Sequence, residues 1–350
     1  MSTVHVAVPE GVDDPARPSG GNVYDRRVCD GLAAAGWDVR ELRVPGAWPT
    51  PGAVARTALA RLVTGVPDGG LLVVDGLVAS GADDVLVPAA RRLRLVVLVH
   101  MPQEGTAEAA VLGAAHAVLT PSDWTRRRLA ERYRLRPERL FVAHPGVDPA
   151  EPGTGTHGGT RLLCVGAIAP HKGQDVLLTA LSDLADRPWT CTLVGSLDVD
   201  PAFAAQVRRR AAGLAVRFAG PHAGAALRRD YRAADVLVVP SRGETYGMVV
   251  AEALSAAVPV IAGDVGGVPE ALGRTDRGLP GLLVPAGDAG ALGAAIGAWL
   301  ADGELRRRLR SAAAARRATL EPWTVTVASV AAALHAAAGE PERRQVRVPG

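Results

Sequence analysis

Short apolar runs alternate with amphipathic helical patterns along most of the chain. In the first half, runs of Val, Leu and Ala bounded by turn residues predict strands at residues 4–8, 39–42, 71–74, 95–99, 117–120 and 140–143. Strands separated by helices are typical of βαβ units, whose strands are parallel. Residues 1–150 are therefore predicted to form one α/β domain.

The same alternation returns in the second half after an interruption. Residues 151–160 contain turn residues without apolar periodicity and are predicted to be a linker. A second α/β domain is predicted over residues 161–318, with strands at 161–165, 191–194, 216–218, 236–239, 258–261 and 282–284. A final helix at 319–338 is expected to pack back towards the N-terminal domain, and the polar residues 339–350 are expected to be disordered.

Composition supports two domains with small-residue cores. The length of 350 residues and the hydrophobic fraction of 48% are enough for two buried cores, and the aromatic fraction of 4% indicates that small aliphatic side chains fill them. The net charge of +3 suits a small anionic ligand and is too low for a nucleic-acid-binding surface. Arginine runs at 126–128, 208–210 and 306–308 lie in helical patterns and are predicted to be solvent-exposed.

Cysteine spacing and hydropathy bear on the compartment. Cys29, Cys164 and Cys191 are far apart and odd in number, which argues against a disulfide framework or a metal knuckle and favours a reducing compartment. No apolar run approaches the roughly 18 residues that a membrane span needs. We therefore expect a soluble, cytoplasmic protein, whose oligomeric state the sequence does not define.

Lys172 is the only lysine in a chain that has 39 basic residues. It lies in the loop between the strand at 161–165 and the helix that begins at Gln174, at the edge where parallel sheets bind ligands. An ammonium on a flexible stem suits a phosphate oxygen. The alternative is that a GC-rich coding bias removed the other lysines and left this one exposed on a loop.

A second group of polar residues follows the strand at 236–239. Glu244 lies in a glycine-containing turn, a helix begins near Gly247, and Glu252 lies further along that helix. The open amides and the positive dipole end of a helix N-terminus favour a diphosphate. The two carboxylates are therefore predicted to hold two hydroxyl-bearing groups of one ligand, although Glu252 could instead be an exposed helix residue.

These motifs together resemble the retaining glycosyltransferases of family 4, which have the GT-B fold. The similarity is carried by the Lys172-Gly173 loop, by Glu244-x(7)-Glu252 with the segment 258–270 after it, and by Gly20-Gly21 before a helix. It is collinear from about residue 4 to residue 334. The resemblance implies two Rossmann-like α/β domains whose parallel sheets face each other across an interdomain cleft, and a nucleotide diphosphate sugar as donor.

The resemblance also implies roles for individual residues. Lys172 would bind the donor diphosphate, Glu244 would contact hydroxyls of the donor sugar, and Glu252 would accept hydrogen bonds from the ribose. His100, after the fourth strand, would lie near the sugar. Backbone amides would contact the sugar and the phosphates at Gly20, Gly21, Thr245, Tyr246, Gly247, Met248 and Val249.

One position departs from the family pattern. The family often has an arginine directly after the strand glycine, and this chain has Ala167 there. Lys172 would then carry more of the charge that faces the diphosphate, and His171 or Arg242 could compensate for the missing arginine.

No metal or cofactor is expected. Asp198 and Asp200 form an Asp-x-Asp pattern that resembles a metal site of another glycosyltransferase fold, but Asp200 precedes a helix and is better explained as its N-cap.

We therefore expect a metal-independent retaining glycosyltransferase that moves a sugar to a hydroxyl of a small soluble acceptor. The departing diphosphate would help to take the acceptor proton after same-face attack. A lipid acceptor is less favoured, because the N-terminal half is compact and its sequence has no obvious exposed stripe of aromatic and basic residues. The segment at 53–66 could instead form an amphipathic surface helix for membrane contact, although core packing is the favoured use. The alternatives are a GT-B epimerase, a phosphorylase, which would need pyridoxal phosphate, and a catalytically silent nucleotide-sugar binder.

Overall fold

The computed structural model describes residues 2–16 and 18–339, and the chain divides into two compact units. The first comprises the chain up to Val12, Val23–Pro145 and the chain from Trp323 onward; the second comprises Asp13–Asn22 and Gly146–Pro322. The part of the predicted disordered tail from residue 340 to residue 350 lies outside the described residues.

The first unit is built on a parallel six-stranded sheet in the order β2-β1-β3-β4-β5-β6. Its strands are β1 (Thr3–Pro9), β2 (Asp38–Val44), β3 (Leu71–Asp75), β4 (Arg94–Leu98), β5 (Ala117–Thr120) and β6 (Leu140–Val142). The helices between them are α1 (Gly20–Ala34), α2 (Ala53–Thr64), α3 (Gly76–Ser80), α4 (Asp83–Ala89), α5 (Thr106–Ala114) and α6 (Asp123–Tyr133). The strands inside the sheet are continuous aliphatic runs because both faces are covered.

The second unit has a parallel six-stranded sheet in the order β12-β11-β10-β7-β8-β9. Its strands are β7 (Arg161–Val165), β8 (Thr190–Val194), β9 (Val216–Gly220), β10 (Val236–Val239), β11 (Val260–Asp264) and β12 (Gly281–Pro285). The helices are α7 (Gln174–Ser182), α8 (Pro201–Arg210), α9 (Gly224–Ala233), α10 (Met248–Ser255), α11 (Val268–Leu272), α12 (Ala289–Ala301) and α13 (Gly303–Arg317). Strand β11 begins two residues later than the sequence predicts, because Pro259 has no N–H for the ladder.

The last helix, α14 (Trp323–Ala338), packs in the first unit. Val327, Val330 and Leu334 join Val28 and Leu32 of α1 in one apolar cluster against the sheet. A second cluster, which includes Leu59 and Val63 of α2, covers the other sheet face. Helix α2 therefore uses its apolar side for core packing, as the sequence favoured.

Within the described residues, no helix combines the length and the hydropathy that spanning a membrane requires.

In both sheets the strand order reverses next to the first strand of the unit. β1 has β2 on one side and β3 on the other, and β7 lies in the same way between β8 and β10. At such a switch point the loops that leave two neighbouring strands run in opposite directions and open a crevice beyond their carboxyl ends. The crevices of the two sheets follow β1 and β3 in the first unit, and β7 and β10 in the second.

The segment at 151–160 is held against the second unit by hydrogen bonds. The fully buried carboxylate of Asp235 accepts the Thr156 amide, the Thr156 hydroxyl at 2.6 Å and the Arg161 amide at 2.9 Å. The Arg310 guanidinium lies 3.2 Å from the same carboxylate. Turn residues in the sequence indicate a linker, but they do not reveal the distant acceptor that orders this backbone.

One of the three arginine runs differs from the sequence prediction. Arg208 and Arg209 are exposed, as expected, but Arg306 is buried. Its guanidinium donates to the carbonyls of Trp299 (2.6 Å) and Leu300 (2.9 Å) at the end of α12. Arg306 therefore satisfies helix-terminal carbonyls that would otherwise lack donors, which a run of like charges in sequence does not indicate.

We expect Asp235→Asn to lower the free energy of unfolding of the second unit by about 3–5 kcal/mol, because the substitution removes a buried charge from three donors and from Arg310. Denaturant unfolding followed by circular dichroism measures this. Glu151→Gln is the matched control, since Glu151 forms an exposed ion pair with Arg232 in the same region, and it should cost no more than about 1 kcal/mol. Equal losses would contradict the role given to Asp235.

Candidate functional site

The crevice of the second sheet contains an ion pair between two predicted site residues. Lys172 lies in a one-turn 3-10 helix (Pro170–Lys172) after β7, and Glu244 lies in the loop after the neighbouring strand β10. Lys172 Nζ is 2.6 Å from Glu244 Oε1, with side-chain exposures of 23% and 8%. The Ser241 hydroxyl donates to the same oxygen at 2.8 Å. The sequence predicted both residues but not their contact, nor the part of Ser241.

Gly173 allows the Lys172 loop to approach β10. Its φ is +69°, in the left-handed region, and a Cβ atom at this position would lie 2.1 Å from the Pro240 carbonyl oxygen. The buried side chain of Gln174 donates to the Ala167 carbonyl at 3.0 Å and so closes the loop from the other end. Gly173 and Gln174 therefore fix the backbone directly after Lys172.

Arg242 joins the two loops through its own contacts. It is therefore not available to replace the arginine that the family often has where this chain has Ala167. Its guanidinium binds both carboxylate oxygens of Asp175, at 2.8 and 2.7 Å, and donates to the Pro170 carbonyl at 2.7 Å. Burial and the nearby ammonium of Lys172 lower the pKa of His171. His171 is therefore mostly neutral at pH 7, and the positive charge that this loop presents to an anion is that of Lys172.

The turn after β11 packs against the loop from Glu244 to Gly247 and supports it. The Gly267 amide donates to the Glu244 carbonyl at 3.0 Å, and a Cβ on Gly266, whose φ is +60°, would lie 1.7 Å from that oxygen. Helix α10 then begins at Met248, and Gly247 provides no capping side chain. Thr245, Tyr246, Gly247, Met248 and Val249 thus form the turn and the first residues of the helix, where amides can face an anion.

Glu252 is held by a residue that the sequence analysis missed. The buried Tyr231 hydroxyl, from α9, donates to Glu252 Oε2 at 2.6 Å. Burial raises the pKa of Glu252, and the hydrogen bond from Tyr231 acts in the opposite direction. The one signal in the sequence was the tyrosine itself, because a buried hydroxyl needs a partner. Glu252 is therefore a partly enclosed acceptor on α10, with one oxygen fixed by Tyr231.

Gly20 and Gly21 form the first turn of α1, and the Ser19 hydroxyl accepts the Asn22 amide at 3.0 Å beside them. A Cβ atom on Gly20 would lie 3.2 Å from Met248 Sδ, a tight contact that glycine avoids. The predicted approach of Gly20 and Gly21 to phosphates stays a prediction.

His100 of the first unit lies two residues after β4 and contacts two buried carboxylates. Its Nε2 is 2.7 Å from Asp25 Oδ1 and 3.6 Å from Asp75 Oδ2. Burial opposes the charged form of His100, but the charge and hydrogen bond of Asp25 together with the charge of Asp75 outweigh burial, so the pKa of His100 is raised. Burial and the neighbouring Asp25 raise the pKa of Asp75 to about 7. The sequence analysis missed both aspartates, because neither lies near His100 in the chain.

The polar atoms of Asp25, Asp75 and His100 lie within 4.8 Å of one another, a spacing that a cation could also use. The 2.7 Å contact between His100 Nε2 and Asp25 Oδ1 has the length of a hydrogen bond. In the second unit, Asp200 Oδ1 accepts the Phe203 amide at 2.9 Å and caps α8, as predicted, whereas Asp198 is exposed.

Two family models match this chain. The model described as "Glycosyl transferases group 1" matches residues 159–302, and that described as "Glycosyltransferase Family 4" matches residues 78–151. A protein of Geodermatophilus obscurus named D-inositol 3-phosphate glycosyltransferase is 39% identical over 250 residues, which are 64% of this chain and 53% of that protein. The chain spans about half the length of the curated relatives it matches.

Solved structures support the fold. Sucrose-phosphate synthase from Thermosynechococcus elongatus has a TM-score of 0.76 at 22% identity, with 95% of this chain and 98% of that one covered. Anabaena HepE, solved in complex with UDP and glucose, has a TM-score of 0.74 at 18% identity, with 95% and 99% covered. Together with the two six-stranded parallel sheets, these similarities confirm the predicted fold class, GT-B with two Rossmann-like α/β units.

We expect Gly173→Ala to destabilise the second unit by at least about 3 kcal/mol, because the new methyl group meets the Pro240 carbonyl in addition to the left-handed backbone. Gly213→Ala is the matched control: its φ is +83°, with no atom within 4 Å of the added Cβ, so only the conformational cost of about 1–2 kcal/mol applies. Differential scanning calorimetry of both variants measures the difference. Similar melting temperatures for the two would show that the loop does not depend on this close approach.

Proposed function

The chain belongs to glycosyltransferase family 4, and from this premise we propose that it transfers a sugar from a nucleotide diphosphate sugar to a hydroxyl group of a small acceptor. The observation that carries the proposal is the contact of Lys172 with Glu244 at the switch point of the second sheet, beside the start of α10. A cation, a carboxylate and a helix N-terminus meet where this kind of sheet binds ligands.

Each of these groups suits one part of the donor. The Lys172 ammonium has three N–H donors, so it can bind a diphosphate oxygen while it keeps Glu244 in place. Glu244 accepts hydrogen bonds from sugar hydroxyls, with help from the amides of Thr245 to Gly247, and the amides of Met248 and Val249 bind phosphate. Glu252, whose second oxygen is not used by Tyr231, accepts from the ribose.

We propose direct transfer with retention of configuration. The bond between the anomeric carbon and the diphosphate oxygen breaks, the acceptor oxygen bonds to the same face of that carbon, and the acceptor proton passes to the departing diphosphate. Lys172 and the α10 amides stabilise the negative charge that develops on the leaving group, which lowers the barrier more than it strengthens ground-state binding. Glu244 is already bound by Lys172 and Ser241, which favours this route over a sugar–enzyme intermediate.

The acceptor that we propose is a small polyol phosphate of the inositol phosphate type. Several relatives are named D-inositol 3-phosphate glycosyltransferase, which supports this class. The packing of α2 into the first core supports a small acceptor over a lipid, because the apolar side of that helix is not available for a membrane surface.

The test is incubation of the protein with UDP-, GDP- and ADP-sugars, each with inositol, inositol phosphates or no acceptor. Chromatography with mass detection should show release of nucleoside diphosphate and a glycosylated acceptor in at least one combination. Isomerised donor without acceptor would indicate an epimerase. Calorimetric binding without turnover would indicate a silent nucleotide-sugar binder, the alternative that Ala167 keeps open.

We expect Lys172→Arg to fold normally but to lose at least about nine-tenths of turnover. The stem of Lys172 lies over Gly166, where a Cβ would be 3.5 Å from Lys172 Cδ, and its ammonium reaches Glu244 at 2.6 Å. A forked guanidinium keeps the charge but not this placement. Steady-state rates and melting temperatures are measured together, and Arg209→Lys on the exposed face of α8 is the control. A variant with the parental rate would show that the reaction does not require an ammonium at position 172, and that coding bias explains why Lys172 is the only lysine.

We expect EDTA to leave the transfer rate unchanged, because Lys172 and the helix amides meet the diphosphate charge. The experiment compares initial rates before and after chelation, and again with excess Mg²⁺ or Mn²⁺. Loss of activity on chelation, with recovery on metal addition, would contradict metal independence. It would indicate a metal site formed by carboxylates, with Asp198 and Asp200 among the candidates.

A further inference from the structure

The switch point of the first sheet carries a buried cluster formed by Asp25, Asp75 and His100. Asp75 is the last residue of β3, and Asp25 lies on α1, which follows the neighbouring strand β1. His100 comes from the loop after β4, the other neighbour of β3. Asp25 is 3% exposed and Asp75 is 4% exposed. The cluster therefore occupies the crevice where a doubly wound sheet binds ligands.

Both carboxylates face the same ring nitrogen of His100. Nε2 lies 2.7 Å from Asp25 and 3.6 Å from Asp75. Asp75 also accepts the amides of Leu77 and Val78 through Oδ1, at 2.8 and 3.3 Å, so it has a second function as the N-cap of α3. Asp25 has no such second function: its Oδ2 is buried and has no hydrogen-bond partner among the residues that the structure describes. The hydrogen bond of the Asp25 side chain in this part of the chain goes to His100.

The charges of the cluster favour an imidazolium. The Asp25 carboxylate, 2.7 Å from Nε2, stabilises a protonated His100, and Asp75 adds its negative charge as the pH rises through its pKa of about 7. The hydrogen bond at Nε2 leaves the second nitrogen, Nδ1, for a ligand, and within the described residues no hydrogen bond to Nδ1 is formed. In an imidazolium, Nδ1 carries a proton and can only donate.

We propose that Asp25 is a positioning residue that holds His100 as an imidazolium, so that His100 binds a ligand oxygen as a hydrogen-bond donor and does not act as a general base. The ligand oxygen is a sugar hydroxyl or a phosphate oxygen, and the role in transfer rests on the function proposed above. The acceptor proton then has to leave with the diphosphate, because His100 already holds its proton.

The surroundings of His100 agree with this assignment. The charged groups that face it are Asp25 from α1 and Asp75 from the end of β3, and Asp25 raises its pKa despite burial. The Tyr24 ring packs edge to face at 5.2 Å, and burial raises the pKa of Tyr24 so that it stays neutral. Since the pKa in the folded state is raised, the imidazolium is present at low pH and is lost as the pH rises through that value.

The charge state is tested by NMR titration of protein labelled with ¹⁵N-histidine, with His100→Gln used to assign the signals. The His100 midpoint should lie above the ordinary value of 6.5 in the parent and fall by at least about one pH unit in Asp25→Asn. Asp30→Asn is the matched control, because Asp30 lies on the same helix, is 68% exposed and loses the same charge; it should leave the midpoint nearly unchanged. A parent midpoint at or below 6.5 would overturn the proposal even if Asp25→Asn failed to fold.

The donor role is tested by the pH profile of kcat/KM. Activity should fall as the pH rises through the midpoint found by NMR, and this fall should move to lower pH in Asp25→Asn but not in Asp30→Asn. Activity that rises through the midpoint would show a general base, and a stoichiometric bound metal in the purified protein would show that the cluster holds an ion instead; either result overturns the proposal. If no donor is turned over, the proposed function fails, while the NMR result still decides whether Asp25 holds the imidazolium.

Discussion

The contact between Lys172 and Glu244 ties together the two loops on which the second unit's candidate site depends. These loops leave neighbouring strands of one parallel sheet, so their starting points are fixed by the ladder between β7 and β10. Gly173 and Arg242 then bring the loops into contact, and Ser241 orients the carboxylate. An ammonium and a carboxylate with limited exposure are held in a geometry that a ligand can use without reorganising the loops.

The sheets and their order depend on a simple sequence pattern, and for this reason most strands could be predicted within two residues. Runs such as Leu71–Asp75 and Val236–Val239 are apolar throughout because both faces of a parallel sheet are buried. Lys172, Glu244 and Glu252 could also be predicted from the sequence, since the first two lie in loops after predicted strands and Glu252 lies on the helix that follows Glu244. Local signals of this kind concern residues within a few positions of each other in the chain.

The features that the sequence did not indicate involve partners that are distant in the chain. Tyr231 meets Glu252, Asp235 meets Thr156, and Asp25 meets His100 across 75 positions. Each pairing depends on the order of the strands in the sheet and on the side of the sheet on which a helix lies. The periodicity of hydrophobic residues along the chain indicates neither. Arg306 is a different case: the carbonyls that it contacts are only 7 and 6 positions away, but a run of like charges does not indicate that the end of α12 lies beside it.

The buried ionic groups of the molecule fall into two kinds, and the difference bears on function. Both carboxylate oxygens of Asp235 accept hydrogen bonds, from the Thr156 and Arg161 amides, the Thr156 hydroxyl and Arg310. The folded structure itself therefore uses the whole charge. At the switch points the described residues use the charges only in part: Lys172 Nζ makes one hydrogen bond with its three N–H donors, and Asp25 Oδ2 is buried without a partner among these residues. Burying an incompletely satisfied charge costs stability, and apolar residues of similar size would fold as well or better. Incomplete satisfaction at both switch points is therefore better explained by ligand binding than by folding, whereas Asp235 is explained by folding alone.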